Sequence, residues 1–225
     1  MTRQLLPLIA IAALASPGLV NAATTVVYSK TVSLGMIPDD DWNGLASQIL
    51  ISSTGIVTSI EVSLVTEGGW NSDLYAYLEH DGVISVLLNR PGIGDGTGES
   101  SSGLNVTFTD SALGDIHTGL AMEFGVPASG TYQPDGRAAD PLEVSGLSPR
   151  SLYLSGFNGQ LAGGAWTLFI ADVAGGDEAV LKSWSLSVTS EVSAVPEPGA
   201  LVPLGALCAA GLLVRSRKAS GPVVS

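Results

Sequence analysis

The chain has 225 residues, with 9 Lys and Arg against 21 Asp and Glu and a formal net charge of −12. A hydrophobic share of 45% excludes a disordered polyelectrolyte, and the acid excess excludes a protein that grips phosphate backbones, so no nucleic-acid partner is expected. The one cysteine, Cys208, excludes an internal disulfide framework and a Cys-based zinc site.

Residues 1–22 read as a secretory signal peptide. Arg3 supplies the positive start, residues 5–15 the apolar run, and Pro17 with Gly18 the helix break. Val20-Asn21-Ala22 puts small side chains where signal peptidase needs them, so cleavage is expected between Ala22 and Ala23.

Residues 23–194 are expected to form one domain. Ile60, Val62 and Leu64 alternate with Ser59, Glu61 and Ser63, as in a half-buried strand. Leu74, Ala76 and Leu78 alternate with Asp73, Tyr75 and Tyr77, and residues 83–88 read as the return strand after an Asp81-Gly82 hairpin turn. Val106 and Phe108 mark another short strand. Trp166, Leu168 and Ile170 lie on a strand with two apolar faces, and Trp184, Leu186 and Val188 alternate with serines. Asp110 is expected to cap a single helical turn over residues 111–116. Short strands and 28 glycines predict an all-β sandwich or barrel. Residues 90–103 and 128–149 read as long loops, the second stiffened by prolines.

The body offers little for catalysis. His80 and His117 read as surface or turn histidines, and there is no Gly-x-Ser-x-Gly elbow to present a nucleophile. The chain is therefore not expected to be an enzyme. A structural calcium is the one cofactor worth weighing, because that ion takes several carboxylate and carbonyl oxygens. The candidates are the loop triplet Asp39, Asp40 and Asp41 and the strand-end residues Asp73, Asp172 and Asp177, with Asp95, Thr97 and Glu99 as another oxygen-rich stretch. Trp42 and Trp70 are expected in loops, where they either plug the ends of the fold or stack on sugar rings.

After the body come Pro196, Glu197 and Pro198, then an uncharged apolar run over residues 199–214, then Arg215, Arg217 and Lys218. Sixteen helical residues span about 24 Å, marginal for a ~30 Å hydrocarbon core. The basic end obeys the positive-inside rule and leaves the body outside the cytoplasm. The order of tripeptide, span and basic end over residues 195–218 resembles the PEP-CTERM sorting signal of Gram-negative bacteria, with residues 219–225 as a cytoplasmic tail. That resemblance implies processing by the intramembrane protease exosortase near the tripeptide, and a setting rich in extracellular polysaccharide.

A second resemblance covers residues 37–188. Trp166-Thr167-Leu168 with Asp172, Gly176-Asp177, and Trp184-Ser185-Leu186, preceded by Asp73-Leu74, look like the P (homo B) domain of proprotein convertases and related subtilisin-type proteases. It implies a jelly-roll β-sandwich of about eight strands that in those proteases packs beside a catalytic domain, and it implies calcium in some bacterial members. The chain contains no subtilisin-like catalytic domain, and Glu178 stands where that pattern has a glycine.

Together these readings predict an exported, non-catalytic β-sandwich module, handled by signal peptidase and exosortase. Its C-terminal helix would anchor a precursor in the membrane before the protein reaches the outer surface or extracellular matrix. The alternatives are an accessory P domain serving a separate subtilisin-like protease and a carbohydrate-binding module of the polysaccharide matrix.

Overall fold

Alternating side chains lay the chain down as two sheets. The computed structural model describes residues 22–32, 35–93, 101–119 and 127–192. Most of the expected signal peptide, the Asp95–Glu99 stretch and the whole C-terminal sorting segment lie outside those residues. Among the described residues no helix is long and apolar enough to cross a membrane.

The first sheet holds β1 (Ala22–Thr31), β10 (Ala179–Val192), β4 (Ile56–Trp70), β7 (Ser102–Phe108) and β8 (Ala128–Tyr132) in that order, and β2 (Met36–Ile37) pairs with the start of β10. The second sheet runs β3 (Asp41–Ile51), β9 (Gly164–Asp172), β5 (Leu74–His80) and β6 (Val83–Asn89). The named strands pair antiparallel except for the parallel β7–β8 pair.

The apolar faces meet between the sheets. Ile60, Val62 and Leu64 of β4 and Trp184, Leu186 and Val188 of β10 share one buried cluster with Leu74, Ala76 and Leu78 of β5 and Trp166, Leu168 and Ile170 of β9. Each valine, leucine or isoleucine among them contributes about 1.5–3 kcal/mol when removed from water, before the loss of conformational entropy is counted. Trp184 crosses the sandwich to donate its indole N–H to the Ser47 hydroxyl at 2.9 Å. At one margin the Lys30 ammonium of β1 donates to the Gln48 carbonyl of β3 at 2.8 Å, joining an edge of each sheet. The fold is thus mostly β and sandwich-like, as expected, with ten strands among the described residues against the expected eight or so.

Several local expectations change. Asp81 and Gly82 both take positive φ, 46° and 78°, as a two-residue hairpin turn requires. The helical turn lies later than predicted, as α1 (Ile116–Gly119). Asp115 serves its N-terminus, accepting from the backbone N–H of His117 at 2.9 Å and of Thr118 at 3.1 Å. Asp110 instead accepts the N–H groups of Leu154 and Ser155. Trp42 and Trp70 belong to β3 and the end of β4, not to loops. They are 47% and 49% exposed, so neither is a buried plug.

One end of the strands collects three crossings between the sheets. The chain passes from β2 to β3 through Asp39 and Asp40, from β4 to β5 through a 3-10 turn at Asn71–Asp73, and from β9 to β10 through residues 173–178. Register fixes them together, because Asp172 is opposite both Asp41 and Leu74, and Ala179 is opposite Gly68. At the far end of the same long strand, Val192 of β10 is opposite Ala22 of β1.

Candidate functional site

A turn that leaves one sheet for another cannot continue a ladder, so its backbone N–H groups need other acceptors. At the crossing end aspartates supply them. Both oxygens of Asp39 accept from Gly176 N–H, at 3.2 and 3.3 Å, which links the first crossing to the third. Asp177 Oδ1 accepts from Trp70 N–H at 3.3 Å. Asp73 lends its carbonyl to Val173 N–H at 2.9 Å, and its carboxylate meets Arg90 at 3.5 Å. Asp172 is fully buried; its Oδ1 accepts from Ala174 N–H at 3.3 Å, while its Oδ2 has no hydrogen-bond partner among the described residues.

Four of the six sequence candidates therefore act on one another. Burial, opposed in part by the Ala174 N–H, pushes the Asp172 carboxyl up to about 7, and the charges of Asp73, Asp39 and Asp177 push the same way. Burial also raises Asp73, against the pull of Arg90 and with the help of Asp177 and Asp39. Asp41 is spent locally, taking both the backbone and side-chain N–H groups of Asn43. Asp40 is exposed in the turn at φ 49°. Among the described residues no three His, Cys, Asp or Glu side chains stand together as a metal-holding group.

Two of the aspartates, Asp73 and Asp177, line a cavity of about 200 Å³ together with Trp70, Gly175 and Gly176. Trp70 stands beside two carboxylates, one of which, Asp73, is raised by burial, and this makes the cavity the candidate binding site. Trp42 follows Asp41, the register partner of Asp172, and so belongs to the same end of the sandwich.

A second polar cluster escaped sequence reasoning, and it shows the histidines to be buried rather than exposed. His117 Nδ1 lies 2.8 Å from Asp135 Oδ2, and its Nε2 lies 3.0 Å from the Ile93 carbonyl. Arg137, also buried, donates to Asp115 and Asp135 at 3.2 Å each. Arg150 donates to the Asp135 and Pro134 carbonyls at 2.8 and 2.7 Å. Both imidazole nitrogens are occupied by backbone and carboxylate acceptors, so His117 holds no serine hydroxyl. His80 stacks on Trp166 at 3.9 Å and 4°, with its ring nitrogens 2.8 Å from the Ala165 and Leu161 carbonyls. The available signal was scarcity: with so few bases in the body, an arginine in a loop is seldom left without an acid.

No family profile and no curated protein sequence matches the chain. Among solved structures it is similar to a chain of the Aeromonas sobria serine protease–chaperone complex, at a TM-score of 0.45 and 17% identity, over 76% of this chain and 28% of that one. A structure of the Aeromonas sobria serine protease gives a TM-score of 0.43 and 17% identity over 75% and 27% of the respective chains. The chain spans little more than a quarter of the solved chains it matches.

Proposed function

We propose that the chain is an exported, non-catalytic β-sandwich module, sorted by exosortase to the cell envelope or extracellular matrix and acting there by binding. The observation that carries this reading is the polarity of the body. The strands that lead from the expected leader and into the expected sorting segment pair at Ala22 and Val192, while the acidic cavity sits where β10 begins, at the other end of that strand. Thirteen strand steps separate those ends by about 43 Å at ~3.3 Å per residue. A binding end is thereby held well apart from the attachment end.

The test is location. Removal of residues 196–225, or neutralisation of Arg215, Arg217 and Lys218, is expected to divert the protein from its normal fraction. Unchanged distribution between membrane, surface and medium would remove the sorting reading.

The second reading is an accessory domain for a separate subtilisin-like protease, favoured by Trp166, Asp172, Asp177 and Trp184 standing in the P-domain order. It expects co-purification with such an enzyme and a loss of that enzyme's thermal stability when the chain is deleted.

A further inference from the structure

We propose that the chain pairs with a second copy of itself through the free edge of β1, the two strands running antiparallel about a two-fold axis at Val27. The proposal is independent of the acidic cavity and of the sorting reading.

Among the described residues, β1 and β8 form the edges of the first sheet, and β3 and β6 those of the second. An unpaired edge invites another strand unless something blocks it. The β6 edge is covered: Gly136 N–H donates to the Val86 carbonyl at 2.9 Å, and Val86 N–H to the Leu152 carbonyl at 3.1 Å. In β3 the register shifts between Asp41 and Leu45, with Gly44 at φ 52°. β8 is five residues long and has Gly130 at φ 142° at its centre. β1 has none of these devices. It runs for ten residues without proline, glycine or register shift, and among the described residues it pairs on one side only. Its one charged side chain, Lys30, is held toward the second sheet by the Gln48 carbonyl.

The free backbone groups then specify the partner. Val32 N–H donates to the Lys182 carbonyl at 3.0 Å, one step past the Thr31–Ser183 partners. With a period of two, residues 24, 26, 28 and 30 therefore aim their N–H and C=O groups at β10. Ala23, Thr25, Val27, Ser29 and Thr31 aim theirs outward. The hydroxyls of Thr25 and Thr189 lie 2.8 Å apart, as in a pair that shares no backbone bonds and brings its side chains close.

A two-fold axis at Val27 sets Ala23 against Thr31, Thr25 against Ser29, and Val27 against its own counterpart. Every outward residue is engaged, each pair exchanging two hydrogen bonds, and moving the axis by one residue leaves an end residue unpaired. The side chains match as well. Val27, 62% exposed, covers itself, while on the inner face Val26 meets Tyr28 and Thr24 meets Lys30. No like charges confront each other, because β1 holds no acid in a chain of net charge −12. A second copy carries the complementary strand by construction.

The experiment follows the mass of the purified full-length chain in mild detergent by sedimentation equilibrium as concentration rises. A reversible doubling is expected, saturating at two copies. Val27→Lys and Val27→Glu each set like charges directly opposite and should each weaken dimerisation about fivefold. Mixed in equal amounts they should restore it, because lysine then faces glutamate. Ser29→Pro removes an outward N–H but spares the β10 ladder, and should weaken dimerisation about tenfold. Val27 and Ser29 are exposed, and retained melting temperatures show that the variants fold.

A monomer at every concentration would overturn the proposal, and so would an assembly that grows past two copies. A dimer indifferent to all three variants would lie on another surface, and failure of the lysine–glutamate mixture to recover would rule out the Val27 axis; either result overturns it too. None of these results touches the export reading, which fractionation of the truncated chain decides separately.

Discussion

Asp172 is an acid that the fold penalises for ionising. Its native value of about 7 lies above the ordinary 3.8. Between those values the unfolded chain has released a proton that the native chain retains, so stability falls as pH rises through that window. Asp172→Asn keeps an acceptor for Ala174 N–H and removes the charge. It is expected to stabilise the protein at pH 8 by on the order of 1 kcal/mol, or about 2–4 °C in melting temperature, with almost no effect near pH 4. Equal melting of variant and parent at both pH values would refute that account. His80 lies at the opposite extreme, a polar ring the core cannot spare. His80→Ala removes two hydrogen bonds and the partner of Trp166, and is expected to cost about 3 kcal/mol on urea unfolding.

At the scale of elements, the segment after β8 is held by ions rather than by a ladder. Asp135 joins His117 and Arg137 in a fully buried group, and its backbone N–H donates to the Leu87 carbonyl of β6. Removing one member of a buried ion group leaves the others unpaired, which costs about 3–5 kcal/mol. Asp135→Ala should therefore destabilise the chain by that amount in urea. If the segment merely lies on the surface, the loss will be under about 0.5 kcal/mol.

The same contrast explains what the sequence made legible. The strands β4, β5 and β10 bury one face against a common core, and their alternation predicted both strand and facing; β9, apolar on both faces in the sequence, was legible as a strand but not in its facing. Strand β1 has nearly every described position exposed or half-exposed, so packing imposes no alternation on it. In β3 the register shifts between Asp41 and Leu45 where Gly44 takes φ 52°, and a bulge erases a period of two. The five-residue β8 has Gly130 at φ 142° at its centre. The Asp110 prediction failed because a carboxylate that can cap a helix can equally serve two N–H groups 44 and 45 residues away. Of the candidate site, the acids and Trp70 were visible by residue type. Their convergence was not, since it comes from three crossings between sheets that no local pattern encodes.

Over the whole molecule, the buried ionisable groups set opposite limits on stability. Burial alone would raise Asp115, but the hydrogen bond and charge of Arg137 overcome it and hold the carboxyl below 3.8. Its contribution is present above that value and fades as pH falls through the native one. Burial alone would lower His117, but the hydrogen bond and charge of Asp135 hold it above 6.5. Its contribution is complete below 6.5 and is lost as pH rises through the native value. Asp172 weakens the fold over the range from 3.8 to about 7, so above neutrality it counts against the native state while His117 no longer supports it. The formal net charge of −12 adds general self-repulsion in the same direction. Melting temperature should therefore be greatest on the acid side of neutrality and decline toward pH 9, the reverse of what carboxylates stabilised by ion pairs alone would give. Salt separates the causes: about 0.5 M sodium chloride screens exposed repulsion but reaches buried pairs poorly. It should recover only part of the decline, and Asp172→Asn a further part. A flat profile from pH 4 to pH 9, or full recovery by salt alone, would mean that the buried acids and His117 carry no weight in the fold.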